Sequence, residues 1–140
     1  MLLNVPDRPR LTGQRQVILI VEDDPVIRRV ASSILNRAGY TTLAAGNGVE
    51  AAAIVDEHPE IALVISDAIM PMKGGRALYD EARAHRPDLR FLFATGYSAG
   101  TLDPETMAPG SYDILLKPWH PTQLLERVAE LLSSGARGGT

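Results

Sequence analysis

Short apolar runs alternate along the chain with stretches in which apolar residues recur at helical spacing. The run from Val17 to Val21 is continuous and rich in β-branched residues, which is typical of a strand buried on both faces. Four further short strands are predicted, at 40–45, 63–66, 91–94 and 114–116. The patterns between them predict helices at 25–38, 47–57 and 76–85, and a last helix that opens at Pro121.

These elements follow the order β-α-β-α-β-α-β-(α)-β-α, where the bracketed helix is the least supported. Such alternation favours an α/β fold with a parallel sheet and helices on both faces. Right-handed crossovers leave few topologies. We therefore predict a flavodoxin-like, doubly wound, five-stranded parallel sheet with strand order 2-1-3-4-5.

Local signals mark where the first helix begins and ends. Asp24 followed by Pro25 predicts an N-cap and a proline at the first helical position. Gly39 predicts a stop in the left-handed conformation. By contrast, the segment from Gly96 to Tyr112 is interrupted by glycines and prolines, so a helix there is expected to be short or irregular.

Composition narrows the functional classes. The chain has 140 residues with a net charge of −3, no cysteine and no Lys/Arg block, so a nucleic-acid surface, a disulfide framework and a thiolate site are not indicated. No apolar run is long enough for a signal peptide or a membrane span. We predict a flexible leader at 1–15, one domain at 16–132 and a flexible tail at 133–140.

Polar side chains follow four of the predicted strands. Glu22 and Asp23 come after the first strand, Asp67 after the third, Thr95 after the fourth and Lys117 after the fifth. The carboxyl ends of parallel strands share one edge of the sheet, where such folds place their sites. These separated segments are therefore expected to form one polar patch.

The patch has a chemical logic of its own. The carboxylates of Glu22, Asp23 and Asp67 would repel one another, and a hard divalent cation such as Mg²⁺ removes that conflict. Lys117 adds a positive charge and Thr95 a hydroxyl. Phosphoryl transfer needs such a set, and a carboxylate can itself be the nucleophile, forming an aspartyl phosphate.

With these residues in view, the chain resembles the receiver domain of bacterial response regulators over about 16–132. The resemblance depends on four motifs, each after a predicted strand: Val21-Glu22-Asp23-Asp24-Pro25, Ser66-Asp67-Ala68-Ile69-Met70-Pro71 with Gly74-Gly75, Ala94-Thr95-Gly96, and Lys117-Pro118-Trp119. Any one motif recurs by chance, whereas all four in order are a specific signal.

The resemblance implies a role for each site residue. Asp67 would be the phosphoacceptor. Asp23 and Asp67 would bind Mg²⁺ directly, Glu22 would act through water, and the backbone carbonyl of Ile69 would be a further ligand. Thr95 would bind a phosphoryl oxygen and move with it.

Lys117 would pair with Asp67 and then with the phosphate, and the peptide bond from Lys117 to Pro118 would be cis.

The resemblance also implies partner proteins. A histidine kinase or a histidine phosphotransfer protein would donate the phosphoryl group, and a downstream protein would bind the face formed by 95–132. The domain would be a cytoplasmic signalling module that assists its own phosphorylation and slow dephosphorylation, and not an enzyme.

Three positions depart from the usual pattern of that family. Ile114 stands where many receivers have a switch tyrosine or phenylalanine. Ile69 and Tyr97 occupy the positions that flank the attacking water in dephosphorylation. Since Ile69 cannot orient water by hydrogen bonding, we expect a long-lived phosphoryl state.

Other functions compete with this interpretation. An aspartyl-phosphate phosphohydrolase would need an acid where Ile69 stands. A pseudo-receiver that is never phosphorylated would not need the complete acid, threonine and lysine set. A flavodoxin would need Ser, Thr or Gly after the first strand, where Glu22 and Asp23 would repel a flavin phosphate.

Overall fold

The computed structural model describes residues 16–70, 72–96 and 102–138, with side chains described through 133. The predicted leader at 1–15 lies outside these residues. The elements in chain order are β1 (Val17–Val21), α1 (Pro25–Arg37), β2 (Thr41–Ala45), α2 (Gly48–Glu57), β3 (Ile61–Ser66), α3 (Gly75–His85), β4 (Arg90–Thr95), a 3-10 turn (Pro104–Thr106), β5 (Tyr112–Leu116) and α4 (Pro121–Gly138). No helix in this described part is long and apolar enough to cross a membrane.

The five strands form one parallel sheet in the order β2-β1-β3-β4-β5, which confirms the predicted topology. Successive residues of β1 face opposite sides of the sheet. Leu19 and Val21 join a core cluster with α2 and α3, while Ile18 and Ile20 join a second cluster with α1 and α4. This two-sided burial explains why the strand is apolar at nearly every position.

Strand ends differ from the sequence prediction by one or two residues. β3 begins at Ile61, β4 at Arg90 and β5 at Tyr112, each earlier than the apolar run alone indicated. Hydrogen bonding to the neighbouring strand sets these ends, and Phe91 pairs with Tyr112 in the ladder. Such pairing cannot be read from the hydropathy of one strand.

The predicted signals at both ends of α1 are confirmed. The Asp24 carboxylate accepts hydrogen bonds from the N–H groups of Val26 and Ile27 at 2.9 and 3.4 Å. Gly39 has φ 104°, and its N–H donates to Asn36 while that of Tyr40 donates to the Leu35 carbonyl. These bonds satisfy carbonyl groups that the helix end would otherwise leave unpaired.

The last helix is longer than predicted. The backbone of α4 runs from Pro121 to Gly138 and so passes Leu132, where the predicted domain ends. Helix formation is cooperative, and a helix anchored by buried Leu131 and Leu132 can extend beyond them even though Gly135 has a low helix propensity. The division into leader, domain and tail otherwise stays a prediction.

The connection between β4 and β5 is irregular, as the sequence indicated, in its described part from 102 onward. It contains only the short 3-10 turn, and residues 97–101 lie outside the described residues. Leu102 and Met107 are buried in the core. The Tyr79 hydroxyl accepts from the N–H of Ala108 at 3.1 Å and lies 2.6 Å from the Ser111 hydroxyl. Side chains of α3 therefore hold this connection in place.

Gly75 has a steric reason to lack a side chain. It opens α3 against the loop that follows β3, and its N–H donates to the Ala68 carbonyl at 3.0 Å. A Cβ added at Gly75 would overlap the carbonyl oxygen of Asp67. The close backbone approach gives Gly75 a steric role in the motif that contains Gly74-Gly75.

We expect Gly75→Ala to lower the free energy of unfolding by roughly 1–3 kcal/mol, because backbone atoms beside Asp67 cannot move aside cheaply. Urea denaturation followed by circular dichroism measures this. Gly46→Ala is the matched control, since its added Cβ would lie 3.6 Å or more from its neighbours and should be neutral or slightly stabilising. Equal stability of the two variants would contradict the steric explanation.

Candidate functional site

The carboxyl edge of the sheet collects the polar residues singled out from the sequence. Glu22 and Asp23 follow β1, Asp67 follows β3, Thr95 ends β4 and Lys117 follows β5. The N–H of Asp67 donates to the carbonyl of Val21 at 3.3 Å, so the strand ladder itself sets the acid from β3 beside the acids after β1. The predicted convergence on one patch is therefore seen in the structure.

Lys117 joins two of the acids. Its Nζ donates to Glu22 Oε1 at 2.8 Å and to Asp67 Oδ2 at 3.0 Å. Its backbone N–H donates to the carbonyl of Thr95 at 2.8 Å, which ties the residue to the end of β4. The Lys117–Pro118 peptide bond is cis, as the resemblance implied. One ammonium group thus bridges the segments after β1 and β3.

Glu22 is the most deeply buried acid of the patch, with 6% of its surface exposed. Its carboxylate also accepts from the N–H of Asp24 at 3.2 Å. Burial raises the pKa of Glu22, and the hydrogen bonds from Lys117 and Asp24 only partly offset this.

The pKa of Lys117, the partner of Glu22, is raised, which favours its charged form. Burial lowers the pKa of Lys117, but hydrogen bonds to Glu22 and Asp67 outweigh it, and the net shift is upward. The pKa of Glu22 is nevertheless raised by burial, because Lys117 is shared between two carboxylates and stabilises neither fully.

Asp67 is held through both carboxylate oxygens. Oδ1 accepts from the N–H of Ile69 at 3.1 Å, and Oδ2 accepts from Lys117. Its side chain is 14% exposed, so it remains open to solvent on one side. A carboxylate fixed in orientation and partly accessible is suited to accept a group brought in from outside.

The donor set fits a hard divalent cation. Glu22, Asp23 and Asp67 each offer a carboxylate oxygen, and these atoms lie within 4.8 Å of one another. Three carboxylates face one ammonium group here, which leaves an excess of negative charge. Oxygen ligands of this kind, partly exposed so that waters can complete the coordination, match the preference of Mg²⁺.

Thr95 is near the patch but does not yet take part in it. It is 1% exposed, and among the described residues its hydroxyl makes no hydrogen bond to Glu22, Asp67 or Lys117. The Ile69 side chain is 57% exposed. The role predicted for its carbonyl stays a prediction, and Tyr97 and Pro71 lie outside the described residues.

Sequence reasoning missed one residue of the patch. Arg28, on the first turns of α1, donates from Nη1 to the backbone carbonyl of Glu22 at 2.6 Å. An arginine six positions after the buried acid was the available signal. On a helix surface it resembles any solvated cation, as Arg29 does.

We expect Glu22→Gln to raise the free energy of unfolding of the metal-free protein at neutral pH. Burial raises the pKa of Glu22 above its ordinary value of 4.5, so the folded state loses stability as pH rises and this group ionises. The gain should vanish well below pH 4.5, where the carboxyl is protonated in both states. Urea denaturation with a chelator at acid and neutral pH measures it.

Glu126→Gln is the control for that experiment, because it removes the same charge from a residue that is exposed on α4. Its effect should stay within about 0.5 kcal/mol at either pH. A Glu22→Gln protein that is less stable than wild type at neutral pH would show that the bond to Lys117 outweighs the cost of burial.

Comparison with known proteins places this geometry in a family. The family model described as the response regulator receiver domain matches residues 18–129. The response regulator receiver protein CpdR of Brucella abortus is 35% identical over 115 residues, which cover 82% of this chain and 95% of CpdR. The sensor kinase CckA of the same organism is 35% identical over 116 residues, but the match spans only 12% of CckA.

Solved structures agree. The receiver domain of the hybrid histidine kinase CckA has a TM-score of 0.70 and 36% identity, covering 83% of this chain and 98% of that one. The chemotaxis protein CheY4 of Vibrio cholerae has a TM-score of 0.76 and 28% identity, covering 84% of this chain and 98% of that one. The chain therefore belongs to the response regulator receiver domain family of two-component signalling.

Proposed function

We propose that this domain accepts a phosphoryl group on Asp67, with Mg²⁺ bound at Glu22, Asp23 and Asp67, as a step of a two-component phosphorelay. The observation that supports this most is the bridge from Lys117 to both Glu22 and Asp67 beside the exposed acid Asp23. A nucleophilic carboxylate, a cation site and a fixed ammonium group are the parts that phosphoryl transfer requires.

Each residue has a defined part in the proposed transfer. An oxygen of Asp67 forms a bond to phosphorus as the P–N bond of a phosphohistidine breaks, and the imidazole leaves with the electron pair of that bond. The Ile69 N–H and Lys117 hold the carboxylate in position beforehand. Mg²⁺, when bound, supplies positive charge to the phosphoryl oxygens.

Lys117 and Thr95 would then respond to the new group. Lys117 can exchange its bond to the carboxylate for one to a phosphoryl oxygen. Thr95 is buried and has no hydrogen bond to Asp67 or Lys117, so for its hydroxyl to donate to a phosphoryl oxygen we expect a local change at the end of β4. Because Lys117 is bonded to the Thr95 carbonyl, β4 and β5 respond together.

The surface beside the site supports a protein as the phosphoryl donor, a histidine kinase or a histidine phosphotransfer protein. Val26 and Val30 are exposed on α1, and with the 117–121 turn they line a groove of about 510 Å³ next to Lys117. Ile69 and Met72 are exposed beyond Asp67. Exposed apolar residues grouped around a charged site indicate a macromolecular contact.

The proposed output surface is the face formed by 95–132, read by a downstream protein. Within it the connection from 102 to 111 is held by Tyr79 and by Arg76, whose Nη1 donates to the Thr106 hydroxyl at 2.9 Å. Its shape differs from a regular helix, so the partner need not be one that reads a helix there. We propose a cytoplasmic signalling role, in which the domain assists its own phosphorylation and its own slow dephosphorylation.

Incubation with acetyl phosphate and Mg²⁺ is expected to add one phosphoryl group, seen as a single adduct by intact mass. Asp67→Asn should abolish the adduct, because the nucleophilic oxygen is lost, and a chelator should do the same in the wild type. Acetyl phosphate needs no cognate kinase, so the result does not depend on knowing the partner.

The outcomes of that experiment separate the alternatives. An adduct that persists in Asp67→Asn would place the acceptor elsewhere. No adduct with either acetyl phosphate or phosphoramidate, together with no Mg²⁺ binding, would identify a pseudo-receiver. Multiple turnovers of small phosphate esters would favour a phosphohydrolase.

A long-lived phosphoryl state is the second expected property. Ile69→Asn should shorten the half-life of phosphorylated Asp67, because an amide can orient the attacking water. One hydrogen bond of about 1 kcal/mol corresponds to roughly a fivefold faster hydrolysis. Loss of the adduct over time by intact mass, after removal of the donor, measures this.

Ile69→Leu is the control, since it keeps an apolar side chain at the same exposed position. Its half-life should equal that of the wild type. A wild-type half-life no longer than that of Ile69→Asn would rule out the proposed effect of the isoleucine.

A further inference from the structure

Arg28 contacts the backbone of the site, but its side chain is not one of those predicted to bind the cation or the phosphoryl group. Its Nη1 donates to the backbone carbonyl of Glu22 at 2.6 Å, while the N–H of Glu22 donates to the carbonyl of Ala45 at 3.1 Å. Glu22 is therefore held on both sides of its backbone. The peptide bond that leads from Glu22 to the exposed acid Asp23 begins at the carbonyl that Arg28 holds.

The arginine is half-buried in a setting built around it. It lies between the turn after β1 and the turn after β2, and a Cβ added at Gly46 would lie 3.6 Å from its Nη1. The N–H of Gly46 donates to Glu50 Oε1 at 2.7 Å, which fixes that second turn. The guanidinium group is therefore placed against backbone rather than extended into solvent.

A hydrogen bond from a charged donor to a carbonyl is stronger than one between neutral groups. Here the bond from Arg28 sets the plane of the Glu22–Asp23 peptide, because it keeps the Glu22 carbonyl oxygen directed toward the guanidinium group. The orientation of this peptide determines where the backbone of Asp23 starts, and so where its carboxylate can reach. Partners outside the ligand set commonly orient metal ligands in this way.

We propose that Arg28 is a positioning residue of the Mg²⁺ site: it does not bind the ion, but it fixes the Glu22–Asp23 peptide so that both acids face Asp67. This inference rests on the proposed function for the identity of the ion. It adds a residue on α1 that has no role as acceptor, ligand or phosphate-binding group.

Because Arg28 is charged, the direction in which Mg²⁺ affinity changes on its removal tests the inference. A positive group bonded to the backbone of Glu22 opposes the binding of a cation at the neighbouring acids, so its removal would tighten Mg²⁺ binding if charge alone mattered. Loss of positioning has the opposite effect and weakens binding. The direction of the change therefore distinguishes the two roles.

Calorimetric titration of the full chain with Mg²⁺ tests this. Arg28→Ala is expected to bind Mg²⁺ roughly tenfold more weakly, in the range found when outer partners of metal ligands are removed. Arg28→Lys should recover part of the loss, because an ammonium group can still donate to the carbonyl. Arg29→Ala removes the same charge from the next, exposed position and should bind as the wild type does or slightly more tightly.

A second measurement excludes a general structural defect. The rate of adduct formation from acetyl phosphate in Arg28→Ala should fall at low Mg²⁺ and recover at saturating Mg²⁺, which a damaged fold would not allow. Should the alanine variant fail to fold by circular dichroism, Arg28→Lys against Arg29→Lys provides the comparison, with weaker Mg²⁺ binding expected only in the former.

The results also separate this inference from the proposed function. Wild-type protein that binds Mg²⁺ and forms the adduct, with Arg28→Ala binding as tightly as Arg29→Ala or more tightly, overturns the role of Arg28 alone. Wild-type protein that binds no Mg²⁺ overturns both.

Discussion

The site depends on one ammonium group placed between two carboxylates that would otherwise repel. Lys117 bonds to both Glu22 and Asp67, and its backbone is fixed by the end of β4. Without it, the carboxylates after β1 and β3 would lie together without the ammonium group that now bonds to both. The edge of the sheet is therefore held together by an interaction that links the first and the last strand in the sequence.

That arrangement has a cost in stability which the fold offsets elsewhere. Burial of Glu22 penalises its charged form, and Lys117 is shared rather than dedicated to it. The two core clusters on opposite faces of the sheet supply the favourable free energy that offsets this cost, since nearly every residue of the three central strands β1, β3 and β4 is buried. A site kept ready for a cation is expected to be strained in the absence of that cation.

Two connections at the carboxyl edge of the sheet are fixed in different ways, one by close backbone packing and one by side chains of α3. The loop after Asp67 must pass so close to Gly75 that a side chain there would overlap it. The connection after β4 has only a 3-10 turn in its described part, and Tyr79 and Arg76 fasten it to α3. Because Ile114 stands where many receivers have an aromatic residue, the proposed signal from Thr95 would have to reach the proposed output face through backbone and packing.

Much of this protein was determined by local sequence alone. The period of the apolar residues predicted the strands and helices, and right-handed crossovers left few topologies, among which the observed sheet order was the one predicted. Asp24 and Gly39 predicted the ends of α1 through chemistry confined to a few neighbouring residues. The order of polar residues after successive strands predicted which side chains would meet, because parallel strands end at one edge.

Only the tertiary structure decided the rest. That Lys117 bonds to Glu22 as well as Asp67, that Thr95 is buried without a hydrogen bond to them, and that Arg28 holds a backbone carbonyl all depend on distances between distant segments. The extension of α4 to Gly138 depended on cooperativity from an anchored helix. Local sequence predicts periodicity and caps, whereas burial and ion pairing are properties of the assembled edge, which no single segment contains.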